Sequence, residues 1–91
     1  MLTVVSYDIV SDSRRQKLAK LLEGYGERQQ YSLFECDLSE RKLQELERRI
    51  KKIVDKNEDS VRIYKVCSKC MEKIIIIGNG VVFREPDVII I

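Results

Sequence analysis

Ninety-one residues, 44% apolar and 35% charged, describe one small folded domain with an ion-rich surface. The net charge of +2 excludes a polybasic tail, so any nucleic-acid surface must come from local placement of arginines and lysines. Histidine is absent, which removes the usual general base at neutral pH and every Ser-His or Cys-His nucleophile pair; hydrolysis would have to run on carboxylates, tyrosine or a metal-bound water.

Residues 2–9 read as a strand, β-branched and aromatic with no Gly or Pro, ending in Tyr7 and Asp8. Ser11, Asp12 and Ser13 are N-cap candidates for a helix running to about Glu23, with Leu18, Leu21, Leu22 and Tyr25 on one stripe and Gly24 and Gly26 as its stop. Residues 27–38 are extended and long for one strand, with a break expected near Tyr31 and Ser32. Ser39 caps a second helix to about Lys56, striped by Leu43, Leu46, Ile50, Ile53 and Val54. Residues 57–60 turn, and 61–67 form a strand. Ser68 and Lys69 turn again into a strand over 71–77 that carries four consecutive isoleucines. Gly78-Asn79-Gly80 is a further turn, 81–84 a short extended piece, Pro86 an interruption and 88–91 an apolar end.

This order fits an α+β sandwich of ferredoxin-like type, two helices on one face of a mostly antiparallel sheet. The expected layout is a single domain over 1–91, with a core of 1–78 and a C-terminal strand or tail of 79–91. Two helices cover only one face, yet Val4, Val5 and 74–77 are apolar in consecutive positions, as in strands buried on both sides. The economical cover is a two-fold homodimer, sheet facing sheet, with the C-terminal strand exchanged; the alternative folds the tail onto its own sheet edge. An odd number of cysteines fits a reducing compartment, and no run reads as a membrane span or signal peptide. The expectation is a cytoplasmic protein with no membrane partner.

Asp8 ends the first strand, and in a face-to-face dimer its two copies approach near the axis. Paired carboxylates with water form a hard-oxygen site suited to Mg²⁺ or Mn²⁺; the bland reading is that Asp8 satisfies turn amides. Arg14, Arg15, Lys17 and Arg28 are the basic candidates for phosphate contact, singly indistinguishable from solvated surface charge. The pair Cys67 and Cys70 lacks the further ligands of a zinc site and is expected at a strand-to-strand turn rather than at a helix start, so it reads as structural. Phe34, Tyr31 and Tyr64 could stack on bases, but the signature of the RNA-recognition sheet is missing.

Ser6-Tyr7-Asp8-Ile9, Asp12 with the arginines behind it, and Gly26-x-Arg28-x-Gln30-Tyr-Ser-Leu-Phe-Glu-Cys-Asp-Leu38 resemble the small CRISPR-associated endonuclease family, the second of the two near-universal adaptation proteins. The resemblance covers essentially the whole chain. It implies a ferredoxin-like homodimer with C-terminal strands docked on the partner's sheet, and Asp8 as Mg²⁺ ligand from each subunit. It further implies that Tyr7, Arg15, Arg28 and Phe34 support nuclease activity; Lys17 stands where an arginine is often seen, and Gln29 where Val or Ile is commoner. The family reading includes metal-dependent cleavage of RNA or double-stranded DNA, and a scaffold role between integrase subunits in spacer acquisition. Three functions follow: a Mg²⁺-dependent endonuclease, a non-catalytic DNA-binding subunit of an integrase complex, or a ferredoxin-like module with no nucleic-acid role.

Overall fold

The computed structural model describes residues 1–83, so the expectations for Pro86 and for an apolar strand over 88–91 lie outside the described residues. Its elements are β1 (Leu2–Asp8), α1 (Asp12–Glu23), β2 (Gly26–Gln30), β3 (Leu33–Asp37), α2 (Glu40–Ile53), β4 (Ser60–Val66) and a short α3 (Ser68–Met71). The four strands form one sheet in the order β2-β3-β1-β4, antiparallel at each pairing. This is the ferredoxin-like arrangement, with β1 at the centre between β3 and β4.

Alternation along β1 assigns its side chains to the two faces. Thr3, Val5 and Tyr7 point to the helices and are buried, as are their β3 neighbours Phe34 and Cys36. Leu18 and Leu22 of α1 and Leu43, Leu46 and Ile50 of α2 close on them, with Ile9 and Leu38 completing the core. Both helices begin as their caps dictate: the Ser11 hydroxyl accepts from the Arg14 N–H, and Ser39 does the same for Lys42.

The expected break in the 27–38 stretch is a turn at Tyr31 and Ser32, with an irregularity in the β2–β3 register between Arg28 and Gln30. Gly26 is not a helix stop but the first residue of β2. A Cβ there would lie 2.1 Å from the Glu35 carbonyl oxygen and 2.6 Å from Cys36 Sγ, so the backbones touch only because the side chain is missing. Gly24 ends α1, its N–H bonding the Leu21 carbonyl.

α2 stops at Ile53, three residues short of the expected Lys56. The Asp55 side chain accepts from the Asn57 N–H, its carbonyl accepts from Glu58 and Asp59, and its own N–H donates to Asp59 Oδ2. These local bonds compete successfully with another helical turn.

The largest departure is the strand expected over 71–77. α3 takes its start, and among the described residues none after Val66 belongs to a strand. Ile75 is 82% and Ile77 94% exposed. High strand propensity makes no strand unless the segment bonds an edge; β2 and β4 are the edges of the sheet, and among the described residues neither pairs with a further strand. Further along the chain, the Phe83 N–H donates to the Glu35 carboxylate.

Candidate functional site

β1 presents Tyr7 and Asp8 on opposite sides of the sheet at its C-terminal end. Tyr7 faces inward beside Phe34, ring centroids 6.4 Å apart, and Asp8 is exposed. The Tyr7 backbone N–H donates to the Ser32 carbonyl and its hydroxyl to the Tyr31 carbonyl, so the β2–β3 turn is tied directly to the end of β1. Arg28 lies across from Phe34 in the β2–β3 register, and its guanidinium sits over that ring at 5.3 Å. Arg15, in the first turn of α1, is held by Asp12 three residues earlier, with both terminal nitrogens on one carboxylate oxygen.

These elements enclose an open cleft of about 400 Å³, lined among others by Tyr7, Asp8, Arg15, Gln16, Arg28 and Tyr31. Burial pushes the Tyr7 phenol above its usual range, against the opposing pull of the Arg28 and Arg15 charges. At neutral pH Tyr7 is therefore a hydrogen-bond donor and not a base. One phenol and two guanidiniums around a cleft can hold an oxyanion, and Asp8 lines the same cleft at its rim with its side chain on the other face of the sheet.

The expected residues separate into groups. Tyr7, Asp8, Arg15 and Arg28 share the cleft. Phe34 is wholly enclosed and touches it only through Tyr7 and Arg28. Arg14 faces the other way: its Nε donates to Asp59 Oδ2 at 2.7 Å and Nη2 to Glu58 at 3.1 Å. Lys17 is exposed and does not line the cleft. Sequence reasoning passes over two contributors, Gln16 in the cleft wall and the Tyr31 and Ser32 carbonyls that fix Tyr7. The turn chemistry at 31–32 is the only signal in the chain for the latter.

It also misses Asp59, whose enclosed carboxylate accepts from Arg14, from the Val10 N–H and from the Asp55 N–H. The Arg14 bond, followed by those backbone donors, holds its pKa far below the usual carboxylate range. This one side chain ties the start of α1 to the end of α2, on the far side of α1 from the cleft.

Among the described residues no three His, Cys, Asp or Glu side chains gather as a ready-made metal cluster. Asp8 fits Mg²⁺ all the same, because that ion keeps several waters and takes one or two carboxylates together with substrate phosphate.

A ferredoxin-like sandwich whose central strand ends in Asp8, with Arg15 and Arg28 lining the cleft at that end, defines a small α+β domain with an arginine-lined cleft. The chain belongs to the CRISPR associated protein Cas2 family, whose model matches residues 1–74. It is 44% identical over 90 residues to the CRISPR-associated endoribonuclease Cas2 3 of Synechocystis, covering 99% of this chain and 98% of that one. It is 52% identical over 68 residues to the CRISPR-associated endonuclease Cas2 2 of Thermus thermophilus, covering 75% of this chain and 76% of the relative. A chain in the solved structure of a partial Cas6-RT-Cas1–Cas2 complex superposes with a TM-score of 0.72 at 29% identity, over 84% of this chain and 89% of that one. Among the described residues no helix is long and apolar enough to cross a membrane.

Proposed function

We propose that this protein is a metal-dependent endonuclease of CRISPR adaptation, acting on phosphodiester bonds of RNA or DNA as a homodimer. The observation that carries the reading is the convergence of Asp8, Tyr7, Arg15 and Arg28 on one cleft, in a chain whose relatives are named endoribonucleases and endonucleases. Asp8 is the residue to hold Mg²⁺ or Mn²⁺, which when bound lowers the pKa of a water and offsets charge on the phosphate. Arg15 and Arg28 grip the phosphate from two sides, Arg15 pre-oriented by Asp12. The Tyr7 hydroxyl, kept protonated by burial, can turn from the Tyr31 carbonyl to donate to a phosphate oxygen. Without histidine no second neutral-pH base stands by, so the chemistry leans on Asp8.

Cleavage of labelled single-stranded RNA and double-stranded DNA in Mg²⁺, wild type beside Asp8→Asn, tests this. A loss of about 100-fold or more in the variant supports it, on the scale of losing a charge-stabilising group. Equal cleavage by both proteins removes Asp8 from the chemistry.

The homodimer is supported by the exposed isoleucines at 75 and 77 and the half-exposed Tyr64. The structural neighbour in a Cas1–Cas2 assembly favours a second reading, a scaffold that binds DNA and an integrase subunit through surface charge. That reading predicts DNA affinity that is indifferent to Asp8→Asn and falls steeply with salt. The two readings are compatible, and cleavage separates them.

A further inference from the structure

Two of the four tyrosines are satisfied within the fold: Tyr7 is buried beside Phe34, and Tyr25 bonds Glu45 with the Arg49 guanidinium over its ring. Tyr64 is half-exposed on β4 and does not line the cleft. Tyr31 differs from all three. Its side chain is 91% exposed at the β2–β3 turn, and among the described residues no aromatic or cationic group lies against its ring. A single exposed aromatic is ordinary; what marks this one is its position. The turn that carries it is pinned, its own carbonyl accepting from the Tyr7 hydroxyl at 3.3 Å and the Ser32 carbonyl from the Tyr7 N–H at 3.1 Å. Tyr31 lines the cleft of Tyr7, Arg15 and Arg28 and also, with Arg28, Gln29 and Gln30, a second hollow of about 540 Å³. Arg28 and Tyr31 are the two residues common to both hollows. We propose that Tyr31 is a stacking platform for an unpaired nucleobase, which lies on its ring in the second hollow while Arg28 and Arg15 hold the adjoining phosphate in the cleft.

This inference rests on the reading that the cleft meets a phosphodiester, and it adds which form of the chain the cleft accepts. A nucleotide presents an anion and a flat apolar ring side by side, and the hairpin offers a guanidinium and an exposed ring side by side in return. A base in a duplex has both faces covered by its neighbours, so only an unpaired or splayed-out base can use the platform. Tyr31 therefore selects single-stranded segments over paired ones. Every base has a π-face, so the platform itself is indifferent to sequence and to the sugar. The exposed Gln30 amide, lining the same hollow, carries both a donor and an acceptor for a base edge. The anchoring of the turn runs through backbone carbonyls, so the ring can be removed without loosening Tyr7.

The test is binding without cleavage: the whole protein in EDTA, titrated into a single-stranded oligonucleotide carrying one 2-aminopurine and into the same strand paired as a blunt duplex. Anisotropy reports affinity, and quenching of the 2-aminopurine reports stacking. Tyr31→Ser should weaken single-strand binding by about tenfold or more and abolish the quenching, with the salt slope unchanged because no charge is lost. Tyr31→Phe keeps the ring face and should restore both signals. Duplex affinity should be the same in all three proteins. No single-strand binding by the wild type, wild-type affinity and quenching in Tyr31→Ser, or an equal loss on the duplex would each overturn the platform. So would a lower mass of Tyr31→Ser by light scattering, which would make the ring a contact between subunits. Cleavage in Mg²⁺ that depends on Asp8 but not on Tyr31 would leave the nuclease reading standing without the platform. Tyr31-dependent binding and quenching with no Asp8-dependent cleavage would do the reverse.

Discussion

Truncating Phe34 should unfold much of this protein before it touches any chemistry. The ring is 0% exposed, pairs across the sheet with Val5, stacks near Tyr7 at 6.4 Å and carries the Arg28 guanidinium at 5.3 Å. Phe→Ala at a fully enclosed position costs about 3–5 kcal/mol through lost transfer free energy and the cavity left behind. The aromatic and cation–π partners put this site toward the upper end, about 4–5 kcal/mol. A chain of this length has a total stability of roughly 5–14 kcal/mol, so Phe34→Ala should lower Tm by on the order of 15–30 °C. Phe34→Leu retains most of the volume and should cost roughly 1–1.5 kcal/mol. Urea unfolding monitored by far-UV circular dichroism, with calorimetry beside it, measures both. Cleavage by Phe34→Leu, normalised to folded protein, should fall only as far as Tyr7 and Arg28 are loosened. A Phe34→Ala protein within about 1 kcal/mol of wild type would refute the packing argument. If such a protein were also inactive, Phe34 would have to meet the substrate itself.

Three more perturbations separate the structural claims. Gly26→Ala places a carbon against the Glu35 carbonyl and the Cys36 backbone, so β2 must move and stability should drop by about 2–3 kcal/mol; Gly24→Ala, whose added carbon meets nothing closer than 3.4 Å, should stay within about 1 kcal/mol of wild type in the same urea titration. Asp59 is depressed in the folded state, so its stabilisation is whole above the unfolded carboxylate value, about 3.9, and is lost as pH falls below it. Asp59→Asn should therefore lower Tm at pH 7 by on the order of 10 °C and flatten the decline of Tm below pH 4, while Asp12→Asn at an exposed pair should do neither. If the proposed homodimer closes on these residues, replacing Ile75 and Ile77 together by Glu should halve the mass seen by light scattering; an unchanged dimer mass would place the contact elsewhere, and a wild type of monomer mass would overturn the homodimer.

How much of the fold and cleft is legible in the chain depends on whether a residue's role is set by neighbours in sequence or in space. β1, both long helices and the break at Tyr31 and Ser32 are readable because periodicity and caps are local signals. Ser11 and Ser39 cap as expected, and Leu18, Leu22, Leu43, Leu46 and Ile50 are buried. The fate of 71–77 is not readable, because propensity describes a residue's fitness for a ladder and not the existence of a free edge. Asp59 escapes for a related reason. In sequence it is one polar residue of a turn, and only the fold brings Arg14, Val10 and Asp55 to it.

Arg14 and Arg15 show the limit most sharply, and they explain why the cleft holds together. No composition rule distinguishes adjacent arginines, yet consecutive helical residues diverge by about 100° around the axis. That rotation sends Arg14 to the 55–59 turn and Arg15 to the cleft. A β-strand does the same with Tyr7 and Asp8 through its alternation, placing the phenol under the helices and the carboxylate on the helix-free side. The register of β2 against β3 then lays Arg28 over Phe34, and so beside Tyr7. The cleft is assembled from three elements, each contributing a side chain whose direction its own periodicity fixes. Inserting one residue between Ser11 and Arg15, or slipping β2 by one position, would therefore scatter the group while leaving every functional residue in the chain.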